Sequence, residues 1–250
     1  MKIAWQSHGS GAPVLLIQGL GYGGWGWDPV VPGLAERFRV LTFDNRGIGG
    51  SDKPAGPYTT AELAADALQV LDEAGVDRAH VVGASLGGMI AQELATLRAE
   101  RVEKLVLCCT TPGGTDGVPM PEVTVQLFQE AATLAPDVAI RRFIENALGD
   151  GGSQELVDDL SARRVADPPD PVGWNAQVAA AVGFAGVGEI AAPTLILHGT
   201  DDNVVDHRNA GVLAALIAGS HVELFAGAGH LFFWEQPDAF VRIVTEFLTT

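Results

Sequence analysis

Six short apolar runs, separated by segments of helical or loop character, constrain the fold of this chain more than any other feature. Each run is rich in Val, Leu and Ile and is apolar at consecutive positions rather than at every second one. This pattern is typical of parallel strands that are buried on both faces of a sheet. The runs cover residues 14–18, 40–43, 80–84, 105–109, 195–198 and 222–225.

Helical patterns lie between most of these runs. Thr59 and Glu62 match a capping box, which predicts a helix from 59 to 73 that is closed by Gly75. Helical spacing also covers residues 87–97, 209–217 and 238–248. Strands that alternate with helices predict a doubly wound, mostly parallel α/β sheet.

The alternation of strands and helices is interrupted once, between residues 111 and 189. This stretch shows no strand pattern and instead contains helix-like pieces separated by Pro- and Gly-rich breaks. We predict that residues 1–110 and 190–250 form the core domain and that 111–189 form a helical lid over the carboxyl ends of the strands. The predicted lid helices cover 123–134, 138–147, 154–165 and 174–182.

The composition and the net charge restrict the kinds of molecule and the compartment that suit this protein. A chain of 250 residues with 47% apolar residues suits one domain with a large core. The net charge of −16 argues against binding to nucleic acid or to an anionic membrane surface. No apolar run approaches the roughly 20 residues that span a bilayer. The adjacent Cys108 and Cys109 are expected to be reduced and buried, so we predict a cytoplasmic protein.

The pentapeptide Gly83-Ala84-Ser85-Leu86-Gly87 lies where a predicted strand passes into a predicted helix. A serine between two glycines at such a turn projects its hydroxyl into open space, next to a helix N-terminus. We interpret Ser85 as a nucleophile. A serine nucleophile requires a base and an acid that orients the base.

Among the six histidines, only His230 follows the last predicted strand and therefore lies at the same sheet edge as Ser85. For the acid, Asp202 follows the strand at 195–198 and is preferred over Asp201 and Asp206 because a carboxylate needs some length of turn to point back at His230. The chain order of serine, aspartate and histidine is that of a known hydrolase arrangement. The predicted oxyanion donors are the backbone N–H groups of Leu20 and Leu86.

A competing interpretation rests on Gly19, Gly21 and Gly24, which follow a strand and form a G-x-G-x-x-G pattern with Asp44 at the end of the next strand. This pattern is a dinucleotide fingerprint and would indicate a nicotinamide or flavin enzyme. The third glycine should lead directly into a helix, whereas the bulky segment 25–29 intervenes here. Binding of NAD(P) without ester turnover would support this alternative.

These motifs together resemble the α/β-hydrolase superfamily along nearly the whole chain. Residues 83–87 look like its nucleophile turn, and residues 44–51 are similar to its D-x-R-G-x-G-x-S loop, which explains Asp44 without a ribose. His198 to Asp202 resembles its H-G-x-x-D acid turn, and Gly229-His230 followed by residues 235–237 resembles its catalytic-histidine segment. Gln18-Gly19 departs from the His-Gly of many members.

The resemblance implies a serine hydrolase of small to medium apolar carboxylic esters or lactones that needs no metal or organic cofactor. Carbon–carbon hydrolysis of dienoate products and perhydrolase or haloperoxidase activity use a similar triad and stay open. A triad-bearing ligand receptor is the non-enzymatic alternative. The natural substrate and the oligomeric state are not predicted. The predicted apolar walls of the substrate pocket are Trp25, Trp27, Phe128, Phe143, Trp174, Leu231 and Phe232.

Overall fold

A seven-stranded sheet forms the centre of the computed structural model, which describes residues 1–131, 133–150, 152–186 and 188–250. The strand order across the sheet is β1-β3-β2-β4-β5-β6-β7. Every neighbouring pair is parallel except β1 with β3, which is antiparallel. The strands are β1 (Trp5–His8), β2 (Ala12–Ile17), β3 (Phe38–Phe43), β4 (Ala79–Ala84), β5 (Val102–Cys108), β6 (Thr194–Gly199) and β7 (His221–Phe225).

The predicted doubly wound sheet is confirmed, because helices cover both of its faces. Neighbouring residues of one strand belong to different layers: Val81 packs in one hydrophobic cluster and Val82 in the other. The helices are α1 (Val31–Ala35), α2 (Thr60–Glu73), α3 (Leu86–Leu97), α4 (Glu122–Ala131), α5 (Pro136–Ala147), α6 (Gln154–Ala166), α7 (Pro171–Gly183), α8 (Asn209–Leu216), α9 (Phe232–Glu235) and α10 (Pro237–Thr249).

Helices α2, α3 and α8 pack on one face of the sheet, whereas α1, α9 and α10 pack on the other. The predicted capping box of α2 is confirmed. The Thr59 side chain accepts a hydrogen bond from the Glu62 backbone, and the Glu62 carboxylate accepts one from the Thr59 N–H. The chain turns after α2 at Gly75, which has a φ of +68°.

Four helices, α4 to α7, fill the stretch between β5 and β6, and the described residues there contain no strand. The predicted helices of this stretch agree with the observed ones to within a few residues, although residues 132, 151 and 187 lie outside the described part. The role of these helices as a lid stays a prediction. No helix among the described residues has both the length and the apolar character that a membrane span requires.

Candidate active site

The turn from β4 into α3 holds Ser85 in a strained backbone conformation, with φ 57° and ψ −120°. Such a conformation is costly for a residue with a side chain and is found mainly at functional turns. The flanking glycines allow the turn to pack closely: a Cβ on Gly83 would lie 2.2 Å from Gly87 O, and one on Gly87 would lie 2.1 Å from Ile17 O. The Ser85 N–H donates to Cys108 O of the adjacent strand β5 at 2.9 Å.

The turn after β6 places Asp202 at the carboxyl edge of the sheet, with a fully buried side chain. Its Oδ1 accepts hydrogen bonds from the backbone N–H groups of Val204 and Val205 at 2.7 and 2.9 Å. Its Oδ2 faces His230 Nδ1 at 2.8 Å. The two alternative acids are engaged elsewhere, because Asp201 accepts from the Thr200 hydroxyl and Asp206 pairs with Arg208.

His198 adds a second imidazole to the same carboxylate. Its Nε2 lies 3.0 Å from Asp202 Oδ2 and 3.0 Å from Val205 O. Because a carbonyl oxygen only accepts hydrogen bonds, His198 Nε2 must carry a proton that it donates. His198 therefore acts as a positioning residue for Asp202. In the sequence, His198 stands out only as the first residue of the acid-turn motif.

The contact with Asp202 fixes the orientation of the His230 ring. Because a carboxylate only accepts, Nδ1 donates to Asp202 and the lone pair of Nε2 is left as the base. Burial disfavours the imidazolium, but the charge of Asp202 and its hydrogen bond to Nδ1, together with the contact with Cys109, raise the pKa of His230 well above 6.5. Burial of Asp202 opposes its ionisation, yet His230 and His198 hold the pKa of Asp202 well below its usual range.

Glu235 holds the loop that carries His230 through hydrogen bonds to two backbone N–H groups. Glu235 Oε2 accepts from the Gly229 N–H at 2.8 Å, and Oε1 accepts from the Gly149 N–H at 3.0 Å. Leu231 N–H also donates to Ala147 O at the end of α5. The histidine loop is therefore joined to the segment that follows α5, in the predicted lid.

Among the described residues, no hydrogen bond joins Ser85 Oγ to the His230 ring, and the two residues are linked through the end of β5. Cys109 lies between the two elements: its thiol is beside the His230 ring, and the preceding residue, Cys108, accepts from Ser85 N–H. Cys109 has a φ of 42°, and burial raises its pKa to about 11. The thiol is therefore neutral, and its position directly after β5 was the only sequence signal for this contact.

The loop after β2 carries the predicted oxyanion donor Leu20. In this loop the N–H groups of Gly19, Gly21 and Tyr22 donate to Gln18 Oε1, Gln177 Oε1 and Gly19 O. Within the described part of the chain, the Leu20 N–H has no acceptor. Leu86 begins α3 directly after Ser85, where helix N–H groups lack acceptors in their own helix. These two amides remain available for an oxyanion.

The geometry around Asp44 does not support a dinucleotide site. Its two carboxylate oxygens accept from the N–H groups of Gly24 and Gly50, each at 2.8 Å. A single 3₁₀ turn, Gly24–Trp27, follows the third glycine, and the next helix has only five residues. The carboxylate thus holds two backbone turns together.

The seven predicted pocket residues lie in different environments in the structure. Trp27 and Phe232 are fully buried and stack near Phe240 of α10, which places them in the core rather than at an opening. Trp25 contacts Tyr22 and Trp234, and it lines a cavity of about 640 Å³ beside β1 together with Trp5 and Asp44.

Of the four remaining pocket candidates, Phe128, Phe143 and Trp174 belong to the predicted lid and Leu231 follows His230. Phe128 and Phe143 stack on each other with ring centroids 5.0 Å apart. Leu231 is buried next to His230. Trp174 on α7 packs so closely on Gly21 that a Cβ there would lie 2.4 Å from its ring. Trp174 is therefore directly beside the loop of the oxyanion candidate, and the pocket as a whole stays a prediction.

Comparison with known proteins consistently indicates one protein family. The family model for the alpha/beta hydrolase fold matches residues 12–237. A 2-hydroxy-6-oxononadienedioate/2-hydroxy-6-oxononatrienedioate hydrolase of Cupriavidus pinatubonensis is 33% identical over 273 residues, which cover 99% of this chain and 90% of that protein.

Two solved structures are similar over nearly the whole chain. The enol-lactonase from Burkholderia xenovorans LB400 has a TM-score of 0.85 and 29% identity, covering 99% of this chain and 96% of that one. A hydrolase from Pseudomonas aeruginosa PA01 has a TM-score of 0.85 and 31% identity, with coverages of 99% and 94%.

Proposed function

Because this chain belongs to the alpha/beta hydrolase family, we propose that it is a serine hydrolase that cleaves small to medium carboxylic esters or lactones through an acyl-enzyme. The observation that carries the proposal is the 2.8 Å contact between His230 Nδ1 and Asp202 Oδ2, at the same sheet edge as the strained Ser85 turn. This arrangement leaves His230 Nε2 to act as the base.

In the acylation step, Ser85 Oγ attacks the carbonyl carbon of the substrate and its proton passes to His230 Nε2. A hydrogen bond between these two atoms forms for this step, as in many sites that tighten only around substrate. The N–H groups of Leu20 and Leu86 hold the developing oxyanion, and each donor lowers the barrier by about 3 kcal/mol. The C–O bond then breaks, and His230 returns the proton to the leaving alcohol.

In the deacylation step, His230 Nε2 takes a proton from water, and the resulting hydroxide attacks the acyl carbon. The bond between Ser85 Oγ and the acyl carbon breaks, and the proton on His230 returns to Ser85 Oγ. Asp202 stabilises the imidazolium in both steps and itself stays ionised. The products are the free acid and the regenerated enzyme.

Carbon–carbon bond hydrolysis is the second candidate. It is favoured by the 33% identity to a hydrolase whose name gives a dienedioate substrate. The same serine, histidine and aspartate groups would serve that reaction. A substrate panel of esters, lactones and dienoates separates the candidates, because the ester proposal requires the highest kcat/KM on an ester or a lactone.

The test of the nucleophile is Ser85→Ala. Turnover of p-nitrophenyl esters is expected to fall by about 10³-fold or more, because the attacking oxygen is lost. The thermal midpoint should stay close to that of the parent protein. The exposed Ser10→Ala is the matched control and should keep full activity.

Labelling with a fluorophosphonate gives a second measurement. Mass spectrometry is expected to locate a single adduct on Ser85, because the proposed mechanism activates that hydroxyl through His230. Undiminished turnover in Ser85→Ala, or an adduct on another residue, would refute the assigned nucleophile. A protein that binds esters without turnover or adduct would instead be a receptor.

A further inference from the structure

Arg164 is the one buried arginine in the described part of the chain, with 7% of its surface exposed. It lies near the end of α6 in the predicted lid. Its neighbour in sequence, Arg163, is 40% exposed and pairs with Asp28 at 2.9 Å and with Asp159 at 3.1 Å. No carboxylate of the described residues lies within ion-pair distance of Arg164. The buried guanidinium thus lacks the partner that the exposed one has.

A buried charge without a counter-charge is costly and needs compensation. For Arg164, Nη1 donates to Gly21 O, and the guanidinium carbon lies 4.3 Å from the Tyr22 ring centroid and 5.9 Å from that of Trp174. The other N–H groups of the guanidinium have no acceptor among the described residues. Burial lowers the pKa of Arg164, with Tyr22 and the exposed Asp167 acting in the opposite direction.

The position of Arg164 connects it to the proposed catalytic site. A Cβ on Gly21 would lie 3.3 Å from Arg164 Nη2, and a Cβ on Gly19 would lie 3.0 Å from Ser85 Cβ. Gly19 and Gly21 flank the oxyanion candidate Leu20, so about 7 Å of backbone separates the two contacts. Ser161, on the same face of α6 one turn earlier, has a buried hydroxyl that finds no partner among the described residues.

We propose that Arg164 binds a carboxylate of the substrate, so that the enzyme acts on esters or lactones that carry a free acid group a few bonds from the scissile carbonyl. This inference rests on the proposed function, since it names the substrate class of the same site. The substrate carboxylate supplies the acceptor that the guanidinium lacks. An arginine suits this task because its planar fork matches a carboxylate in two hydrogen bonds.

The test compares anionic half-esters with neutral esters of the same acyl length. The half-esters are monoethyl succinate, glutarate and adipate; the neutral esters are ethyl butanoate, pentanoate and hexanoate. We expect the parent enzyme to have a kcat/KM at least about tenfold higher on one or more half-esters than on their neutral counterparts. Arg164→Gln removes the charge while keeping a polar side chain, and it should lower the half-ester kcat/KM by about 10- to 100-fold.

The neutral esters report on the packing role of Arg164. Loss of this packing affects both ester classes alike, so in Arg164→Gln the half-ester kcat/KM should fall at least about tenfold more than the neutral-ester kcat/KM if the charge acts on the substrate. The matched control is Arg163→Gln, which should keep the half-ester preference. Equal losses on both ester classes, or no preference in the parent enzyme, would overturn the carboxylate site and leave Arg164 as a contact between α6 and the oxyanion loop.

A binding measurement separates this inference from the proposed function. Calorimetric titration of monoethyl glutarate into Ser85→Ala should show binding. Adding Arg164→Gln to the Ser85→Ala protein should weaken the affinity by about 10- to 100-fold. This outcome supports the carboxylate site even if no ester is hydrolysed, in which case the proposed function fails alone. Absence of binding, or equal binding by both proteins, refutes the carboxylate site even if neutral esters are hydrolysed.

Discussion

At the scale of single residues, the carboxylate of Asp202 has four hydrogen-bond partners in the candidate site. Two backbone N–H groups hold Oδ1, and the imidazoles of His198 and His230 share Oδ2. Donors to the charged form favour ionisation, which is why the pKa of Asp202 is low despite its burial. The charge that results is the cause of the raised pKa of His230.

The raised pKa of His230 predicts the pH dependence of turnover. Protonated His230 cannot accept the proton of Ser85, so kcat/KM on a neutral ester should rise as the pH rises through the pKa of His230. We expect the acidic midpoint of the profile to lie above 6.5, the ordinary value for histidine. Stopped-flow or plate assays between about pH 5 and pH 10 measure it.

Asp202→Asn is the control for this pH dependence. A neutral amide no longer favours the imidazolium, so the midpoint should move to lower pH, and kcat should fall by about 10²- to 10⁴-fold. A midpoint that is the same in both proteins would contradict the assigned pair.

At the scale of elements, helix α7 of the predicted lid contacts two loops at the sheet edge, the loop after β2 and the loop at Arg46–Gly47. Asp170 caps the helix by accepting from the N–H groups of Val172 and Gly173. Gln177 accepts from Gly21 N–H and donates to Arg46 O, each at 2.9 Å. The start of α7 approaches so closely that a Cβ on Gly173 would lie 1.8 Å from Gly47 O.

This close approach predicts the effect of Gly173→Ala. The methyl group must displace α7 from the loop at Gly47, which should lower the free energy of unfolding by about 1–3 kcal/mol. It should also raise KM, because Trp174 and Gln177 would shift relative to the oxyanion loop. Chemical denaturation and steady-state kinetics measure the two effects.

The last residue of α7 supplies the matched control. A Cβ on Gly183 would meet nothing within 4 Å, so Gly183→Ala should change the free energy of unfolding by less than about 1 kcal/mol and leave KM unchanged. Equal stability of the two variants would show that α7 does not pack on Gly47 as described.

At the scale of the whole molecule, the net charge of −16 is a source of self-repulsion. Ion pairs between exposed side chains, such as Arg141 with Asp158, offset little of this repulsion, since water and salt screen exposed charges strongly. Salt screens the repulsion over distances longer than the Debye length, which is about 10 Å at 0.1 M.

Salt is therefore expected to stabilise this protein. Raising NaCl from about 20 to about 200 mM should raise the thermal midpoint by about 2–4 °C, which corresponds to about 1 kcal/mol for a chain of this size. Differential scanning calorimetry near pH 7 measures the shift. The effect should shrink close to the isoelectric point of about 4.6. A midpoint that falls with salt would show that the exposed ion pairs outweigh the net charge.

Much of the fold could be predicted because its signals are local. The apolar runs in β2 to β6 lie mostly buried in the covered parallel sheet, as their pattern predicts, whereas β7 at the sheet edge exposes Val222 and Leu224. The capping box at Thr59 and Glu62 satisfies orphan backbone groups within one turn of helix. The sheet edge that carries Ser85, Asp202 and His230 follows from the same rule, because parallel strands end on one side.

The contacts around those three residues were not predictable, because they join segments that are distant in the chain. No local pattern indicates that His198 shares a carboxylate with His230, that Cys109 lies beside the ring, or that Trp27 and Phe232 enter the core. The same holds for Arg164: its sequence neighbour Arg163 is equally basic, but the helix turns one side chain to acids at the surface and the other to the oxyanion loop. The sequence alone determines where strands and helices begin and end, since these limits depend on neighbouring residues. Only the packing of α6 and α7 on the sheet determines which charged side chain is buried without a partner, since that packing joins distant segments.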